Sequence, residues 1–231
     1  MNAPGATLHD FADGRALAAA LAERVAGCLR EGLRERGGAL LAVSGGRTPL
    51  HFFEQLAQSP LDWSKVQLTL VDERWVDEND PRSNARLVRE HLLRHAAATA
   101  RFVPLYTGAA TPEDGLAEAD RRVRALPLPF DAVVLGMGAD GHTASFFPGG
   151  DQLEAALDPN LPTGVVPMRA PGASEPRITL TLATLLATRH LFLHIEGRDK
   201  REVLDRALEK AAPYPIRAVL ERAPVAVYWC P

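Results

Sequence analysis

The sequence predicts an α/β fold, a mostly parallel sheet with helices on both faces. Three observations lead there. Short apolar runs at Ala39–Val43, Val66–Val71, Ala132–Leu135 and His190–Ile195 alternate with amphipathic stretches along the chain, the rhythm of repeated strand–helix units. The runs are nearly continuous, as in strands buried on both faces. Glycine, hydroxyl and charged residues cluster just after several of them, where a parallel sheet presents its ligands.

Each element has a local reason. Asp13–Arg36 carries Leu17, Leu21, Val25, Cys28 and Leu29 at helical spacing, with Gly37-Gly38 as its stop. Ala39–Val43 is a strand. Thr48 is a good N-cap and Pro49 suits the first helical position, which opens a helix through Gln58. Val66–Val71 is the next strand, then a polar loop and a helix over Pro81–Arg94. Pro112–Leu126 is helical and Ala132–Leu135 a strand. Thr163–Met168, Arg177–Leu182 and His190–Ile195 are further strands. Asp199–Lys210 and Tyr214–Arg222 are helices, and Val225–Tyr228 closes the chain as a strand. The proline-rich stretch Leu157–Pro176 reads as a loop over the site. With no internal repeat or long linker, residues 1–231 form a single domain.

Bulk composition narrows the function classes. The chain has 231 residues, 46% of them hydrophobic, and a net charge of −3. Nothing here favours nucleic acid or an anionic membrane as a partner. Cys28 and Cys230 have no metal or redox spacing, so a reducing compartment is expected. The first residues lack a basic and apolar leader pattern, and no run of ~18 apolar residues exists to span a bilayer. The expectation is a soluble cytoplasmic protein, monomeric or a weak homo-oligomer. Lysine is scarce, at Lys65, Lys200 and Lys210 only, which draws the eye to Lys200.

The chemistry concentrates in Phe130–Pro148. A buried strand there ends in Gly136, Gly138 and Gly141, with Asp140 and His142 among them. These glycines fit a dinucleotide fingerprint, but the required second strand with an acidic end ~20 residues on is missing. Turn-making alone would explain the glycines but not His142. A second constellation, Ser44-Gly45-Gly46-Arg47-Thr48-Pro49, joins a strand to a helix start. Small residues there bring backbone N–H groups to an anion, with two hydroxyls and a cation nearby, though the same residues also make a plain tight turn. It lacks the Lys-Ser/Thr ending of a nucleoside-triphosphate loop, so a sugar phosphate suits it better. In a third, Asp72 and Arg74 are two apart on an extended segment and point the same way, with Ser83-Asn84 near the rim. Lys200 falls in the first turn of a helix, where a cation is disfavoured unless an anion is close. Arg177 opens a strand after a proline. His9, His51, His91, His95, His190 and His194 have no comparable context and read as surface or core filler.

At these residues the chain resembles the glucosamine-6-phosphate isomerase/6-phosphogluconolactonase family, on its lactonase side. The matching blocks are Ser44–Pro49, Asp72–Val76 with Ser83-Asn84, Gly136–Pro148, Pro176–Leu180 and Gly197–Lys200. They run in family order from about residue 39 to the end. The resemblance implies an isomerase/CoA-transferase-like α/β sandwich. It also implies hydrolysis of 6-phospho-D-glucono-1,5-lactone, the second step of the oxidative pentose phosphate pathway, with no metal or organic cofactor. In that reading His142 is the general base, Asp140 orients it, and Asp72 and Arg74 hold sugar hydroxyls or water. Backbone N–H groups of Gly138–Gly141 would face the oxyanion. Ser44, Gly45, Gly46, Arg47, Thr48, Arg177 and Lys200 would grip the phosphate. The deaminase branch has a catalytic glutamate where this chain has Phe147, and Asp-Glu-Tyr where it has Asp72-Glu73-Arg74. A phosphosugar sensor fused to a DNA reader would need a domain for which one helix before the first strand leaves no room. The reading requires that His142 and the Ser44–Thr48 turn face one cavity.

Overall fold

A computed structural model describes residues 5–209 and 212–231. Its strands are β1 (Ala6–Asp10), β2 (Ala39–Val43), β3 (Val66–Leu70), β4 (Asp72–Arg74), β5 (Arg101–Val103), β6 (Ala132–Leu135), β7 (Val165–Met168), β8 (Arg177–Leu180), β9 (Leu191–Glu196) and β10 (Val225–Cys230). Its helices are α1 (Gly14–Arg36), α2 (Leu50–Leu56), α3 (Asn84–His91), α4 (Pro112–Arg124), α5 (Leu153–Leu157), α6 (Leu182–Leu186), α7 (Arg198–Ala207) and α8 (Arg217–Leu220).

Seven strands form one parallel sheet in the order β1-β10-β9-β6-β2-β3-β5. The central strands β2 and β6 are buried at every residue, which is why their sequences are continuously apolar. From β2 the chain moves outward to β3 and β5 on one side. From β6 it moves to β9 and β10 on the other. The reversal between β2 and β6 is a topological switch point, the place where parallel sheets open a crevice at their carboxyl ends. The α1 helix starts at Asp13, whose side chain accepts from the Ala16 N–H at 2.8 Å, and ends at Gly37 with φ 71°. Its buried face lies against β2, β6 and β10 and along α2.

Several expectations are corrected. The polar loop expected after Val71 begins with a short strand, Asp72–Arg74, and neither it nor Arg177–Leu180 joins the parallel sheet. With β7 they form a separate antiparallel sheet, β4-β8-β7, covered by α4 and α5 on β7. The expected strand through Leu182 stops at Leu180, because the Thr181 side chain accepts from the Thr184 N–H and caps α6. Thr48 caps nothing: Pro49 takes the cap position and α2 starts at Leu50. Leu157–Pro176 contains β7, and only Ser174, Glu175 and Pro176 of its end approach the Arg82 and Trp75 backbone region. The helix expected over Tyr214–Arg222 narrows to Arg217–Leu220. That over Asp199–Lys210 runs Arg198–Ala207, and Lys210 lies outside the described residues.

Candidate active site

Four adjacent parallel strands, β9-β6-β2-β3, release their chains at one rim. Gly197 follows β9, Gly136 follows β6, Ser44 follows β2 and Asp72 starts β4 one residue after β3. Between them is a cavity of about 260 Å³. It is lined by Ser44, Gly45, Gly46, Arg47 and Thr48, by Asp72, Arg74 and Asn84, by Gly136, Gly138 and His142, and by Arg177, His194 and Lys200. The turn near the amino end and the imidazole therefore share one space, as the sequence reading required.

The turn is tied to the switch point by two bonds. The Ser44 N–H donates to the Val134 carbonyl at 2.9 Å, and the Gly136 N–H donates to Ser44 Oγ at 3.0 Å. Gly46 has φ 92°, the left-handed region that favours glycine. Gly45 admits a close neighbour: a Cβ there would stand 1.8 Å from Asn84 Oδ1. The hydroxyl of Thr48, released from capping, lies 3.5 Å from Lys200 Nζ. This places the Lys200 ammonium beside the turn.

On β4 the two-residue period does the sorting. Asp72 and Arg74 face the cavity and Glu73 points away into full burial. Ser145 Oγ donates to Asp72 Oδ2 at 2.6 Å, and Asn84 Nδ2 donates to the Asp72 carbonyl at 2.9 Å. Arg74 Nη1 donates to Asn84 Oδ1 and to the Arg82 carbonyl. Glu73 accepts from the N–H groups of Arg74, Asn84 and Ala85 at 2.7, 2.8 and 2.7 Å, and from Ser83 Oγ at 3.1 Å. Burial outweighs these donors and pushes its carboxyl up to about 7. Glu73 thus locks β4 to the start of α3, which aims Asn84 and Arg74.

After β6 the chain makes a tight loop. The Gly138 N–H donates to the His142 carbonyl at 2.9 Å, and the Gly141 N–H to the Gly138 carbonyl at 3.0 Å. His142 Nδ1 is 2.5 Å from Asp140 Oδ1, so the contact leaves Nε2 as the nitrogen available for chemistry. A Cβ on Gly138 would stand 2.3 Å from His142 Nδ1, so the imidazole folds over the loop only because position 138 is glycine. The His142 ring packs on Phe147 with centroids 4.4 Å apart. The Arg177 guanidinium lies 5.6 Å from the centre of that same ring. Arg177 is largely buried, which pushes its guanidinium below its usual range, and its Nε has no partner among the described residues.

One expected residue is placed otherwise. Gly141 does not line the cavity. With φ 75° it turns the loop, and Tyr214 packs where its Cβ would be, 2.5 Å from Cδ1. The Gly138 and Gly141 N–H groups are also spent inside the loop, so neither is free to meet an oxyanion in this conformation. Asp140 stands behind His142 and not on the cavity wall. Sequence reasoning missed His194, set aside as filler: it lines the cavity at 2% exposure. It also missed Ser145 and Glu73. The signal for His194 was its position two before Glu196 on a strand leading into Gly197–Lys200, which puts both side chains on one face.

Comparison with known proteins agrees over nearly the full length. The profile of the family described as glucosamine-6-phosphate isomerases/6-phosphogluconolactonase matches residues 12–229. The chain is 54% identical to the 6-phosphogluconolactonase of Rhizobium meliloti over 230 residues, covering 98% of this chain and 99% of that protein. It is 49% identical to the Pseudomonas aeruginosa 6-phosphogluconolactonase, covering 91% and 89%. Its structure resembles the crystal structure of a 6-phosphogluconolactonase from Shewanella baltica, with TM-score 0.95, 42% identity and 98% coverage of each chain. A monomeric glucosamine-6-phosphate deaminase shares the fold at TM-score 0.74 with 19% identity. A profile spanning almost every described residue, with relatives at such identity, leaves one assignment: the chain belongs to the glucosamine-6-phosphate isomerases/6-phosphogluconolactonase family.

Proposed function

We propose that this chain hydrolyses 6-phospho-D-glucono-1,5-lactone to 6-phospho-D-gluconate, the lactonase step of the oxidative pentose phosphate pathway, and that it does so in the cytoplasm. The observation that carries this is the shared cavity. An Asp140-oriented imidazole stands at one part of its wall, and Arg47, Arg177 and Lys200 supply positive charge elsewhere on it. That is what a reactive ester tethered to a phosphate needs. No helix among the described residues is long and apolar enough to cross a membrane.

The chemistry follows from the groups present. His142 Nε2 takes a proton from water while the water oxygen bonds to C1 of the lactone. Asp140 holds Nδ1–H and stabilises the imidazolium that forms. The tetrahedral intermediate then collapses: the C1–ring-oxygen bond breaks, and His142 returns its proton to that oxygen. Arg74 and Arg177 are cavity donors for developing negative charge, and Arg177 is a fixed charge at low solvent exposure. Asp72, held by Ser145, accepts from a sugar hydroxyl. The Ser44–Thr48 turn and Lys200 hold the phosphate, and that remote grip fixes C1 over the imidazole.

Phe147 argues against amino-sugar isomerisation. It stands where the deaminase branch has a glutamate, and a phenyl ring cannot relay a proton. Here its ring packs against both His142 and the Arg177 guanidinium. Because the lactone also opens unaided, the test compares its decay with and without protein. Acceleration that disappears in His142→Ala supports the reading. Decay at the buffer rate with wild-type protein overturns it.

A further inference from the structure

The steps above make no use of His194. His194 on β9 is almost fully buried and lines the cavity together with Thr48, Pro49 and Lys200. Its Nε2 is 3.1 Å from Glu196 Oε1. A carboxylate only accepts, so Nε2 carries a hydrogen. The bond holds Glu196 below the usual carboxylate range. Glu196 is itself seated against the start of α1, where a Cβ on Gly14 would stand 3.3 Å from Oε1. The edge of Phe52 fixes the imidazole plane, with centroids 6.3 Å apart at 82°. The ring is therefore held from two sides.

Its other nitrogen has no partner. Among the described residues, the buried side-chain polar atoms without a hydrogen bond are His194 Nδ1 and Arg177 Nε. Both residues line the same cavity. A buried unpaired polar atom is costly and calls for a specific reason. Two of them at one cavity point to a ligand that answers both.

We infer that His194 is a further phosphate ligand of this site, presenting Nδ1 to a phosphoryl oxygen alongside Lys200 while Glu196 holds the ring. The inference rests on the phosphosugar reading above and extends it. Donor counting makes it specific. Nε2–H serves Glu196 and Nδ1–H serves the phosphate, so the bound state carries an imidazolium. The second proton comes from solvent, and ligand binding takes up as much as one proton. The titratable groups near the ring are Glu196 on β9, Tyr228 in register with His194 on β10, Cys230 in register with Glu196, and Lys200 on the same cavity wall, with His51 on α2 within Coulomb range of Glu196. A neutral sugar lactone would draw no such proton, which makes His194 a determinant of selectivity for phosphorylated substrate.

The experiment uses the full chain and 6-phosphogluconate. Calorimetry in two buffers of different ionisation enthalpy counts protons, and nitrogen-15 NMR of the histidine rings shows which one changes. The expected result is proton uptake, with the His194 ring passing to the doubly protonated signature on saturation. His194→Asn keeps a neutral N–H near Nδ1 and cannot take the proton. It should lose the uptake and bind 6-phosphogluconate ~10–100-fold more weakly, the usual effect of losing a charge-assisted bond. Its preference for phosphorylated over unphosphorylated lactone should fall with it. A His194 ring that stays neutral in the wild-type complex overturns the inference, as does uptake unchanged in His194→Asn. Lactone hydrolysis is scored separately. A protein that takes up the proton but never accelerates hydrolysis would refute the activity and uphold the ligand, and an active protein with neutral His194 would do the reverse.

Discussion

Replacing Asp140 by asparagine tests how much the orienting carboxylate contributes. The carboxylate reaches His142 twice, at Nδ1 over 2.5 Å and at the backbone N–H over 3.2 Å. In a buried serine-protease triad the equivalent change costs ~10⁴-fold in turnover, because the imidazole adopts the wrong tautomer. Here the side chains of His142 and Asp140 are 30% and 47% exposed. Water screens the charge and can supply an alternative acceptor for Nδ1–H. An asparagine can also turn its carbonyl towards that hydrogen. The expected loss is therefore that of one charge-assisted bond, ~10–100-fold in kcat. KM should move little, because Asp140 is not on the cavity wall. The assay follows lactone disappearance in a pH-stat, with spontaneous opening subtracted and substrate varied through KM. Turnover within twofold of wild type would show that the pair does not orient the base. A rise in KM with kcat preserved would place Asp140 in binding instead.

Three other outcomes are expected. Gly45→Ala puts a methyl group 1.8 Å from Asn84 Oδ1, which forces Asn84 off Arg74 and the Asp72 carbonyl. KM should rise and chemical denaturation should report a loss of ~1–3 kcal/mol, as overpacking commonly costs. For Glu73, burial raises the carboxyl from its ordinary 4.5 to about 7, so the native state holds a proton that the unfolded chain releases. Its stabilising contribution is complete below pH 4.5 and fades as pH climbs through about 7. Urea titrations at pH 5 and pH 8 should show wild type losing up to about 3 kcal/mol relative to Glu73→Gln, and parallel pH dependences would contradict this. Cys28 is buried and its thiol is pushed up to about 11. It should react with a thiol reagent only as the protein unfolds, and fast labelling of the native protein at pH 8 would show that α1 opens locally.

The sequence displayed the central sheet because β2 and β6 are apolar throughout and β3 and β9 mostly so, a pattern that burial on both faces imposes. It hid β1, whose residues Ala6–Asp10 are mostly exposed at the sheet edge and so lack a hydrophobic repeat. It hid β5 and α5, which are too short for any period to register. Of the antiparallel trio, β7 and β8 were legible as strands and β4 was read as part of a polar loop; the separate sheet was not legible, since partner choice is set by tertiary packing and not by local pattern. In the site, Ser44, Asp72, His142 and Lys200 stood out because each follows a strand end. Glu73 did not, because a carboxylate that serves the backbone of α3 looks in sequence like any charged neighbour of Asp72. His194 sits inside an apolar strand, where a lone histidine most often fills space. Only the missing hydrogen-bond partner separates it from that reading.

The strand order has a consequence for how this protein comes into being. Its rim draws on residues 44, 72, 142, 177 and 200, contributed by loops, strands and a helix far apart in the chain that meet only in the finished fold. A ribosome must release the chain through residue 200 before the last of these groups can dock. A product that stops short of residue 200 lacks part of the set. Loops on such a frame remain free to exchange residues while the sheet beneath them is kept.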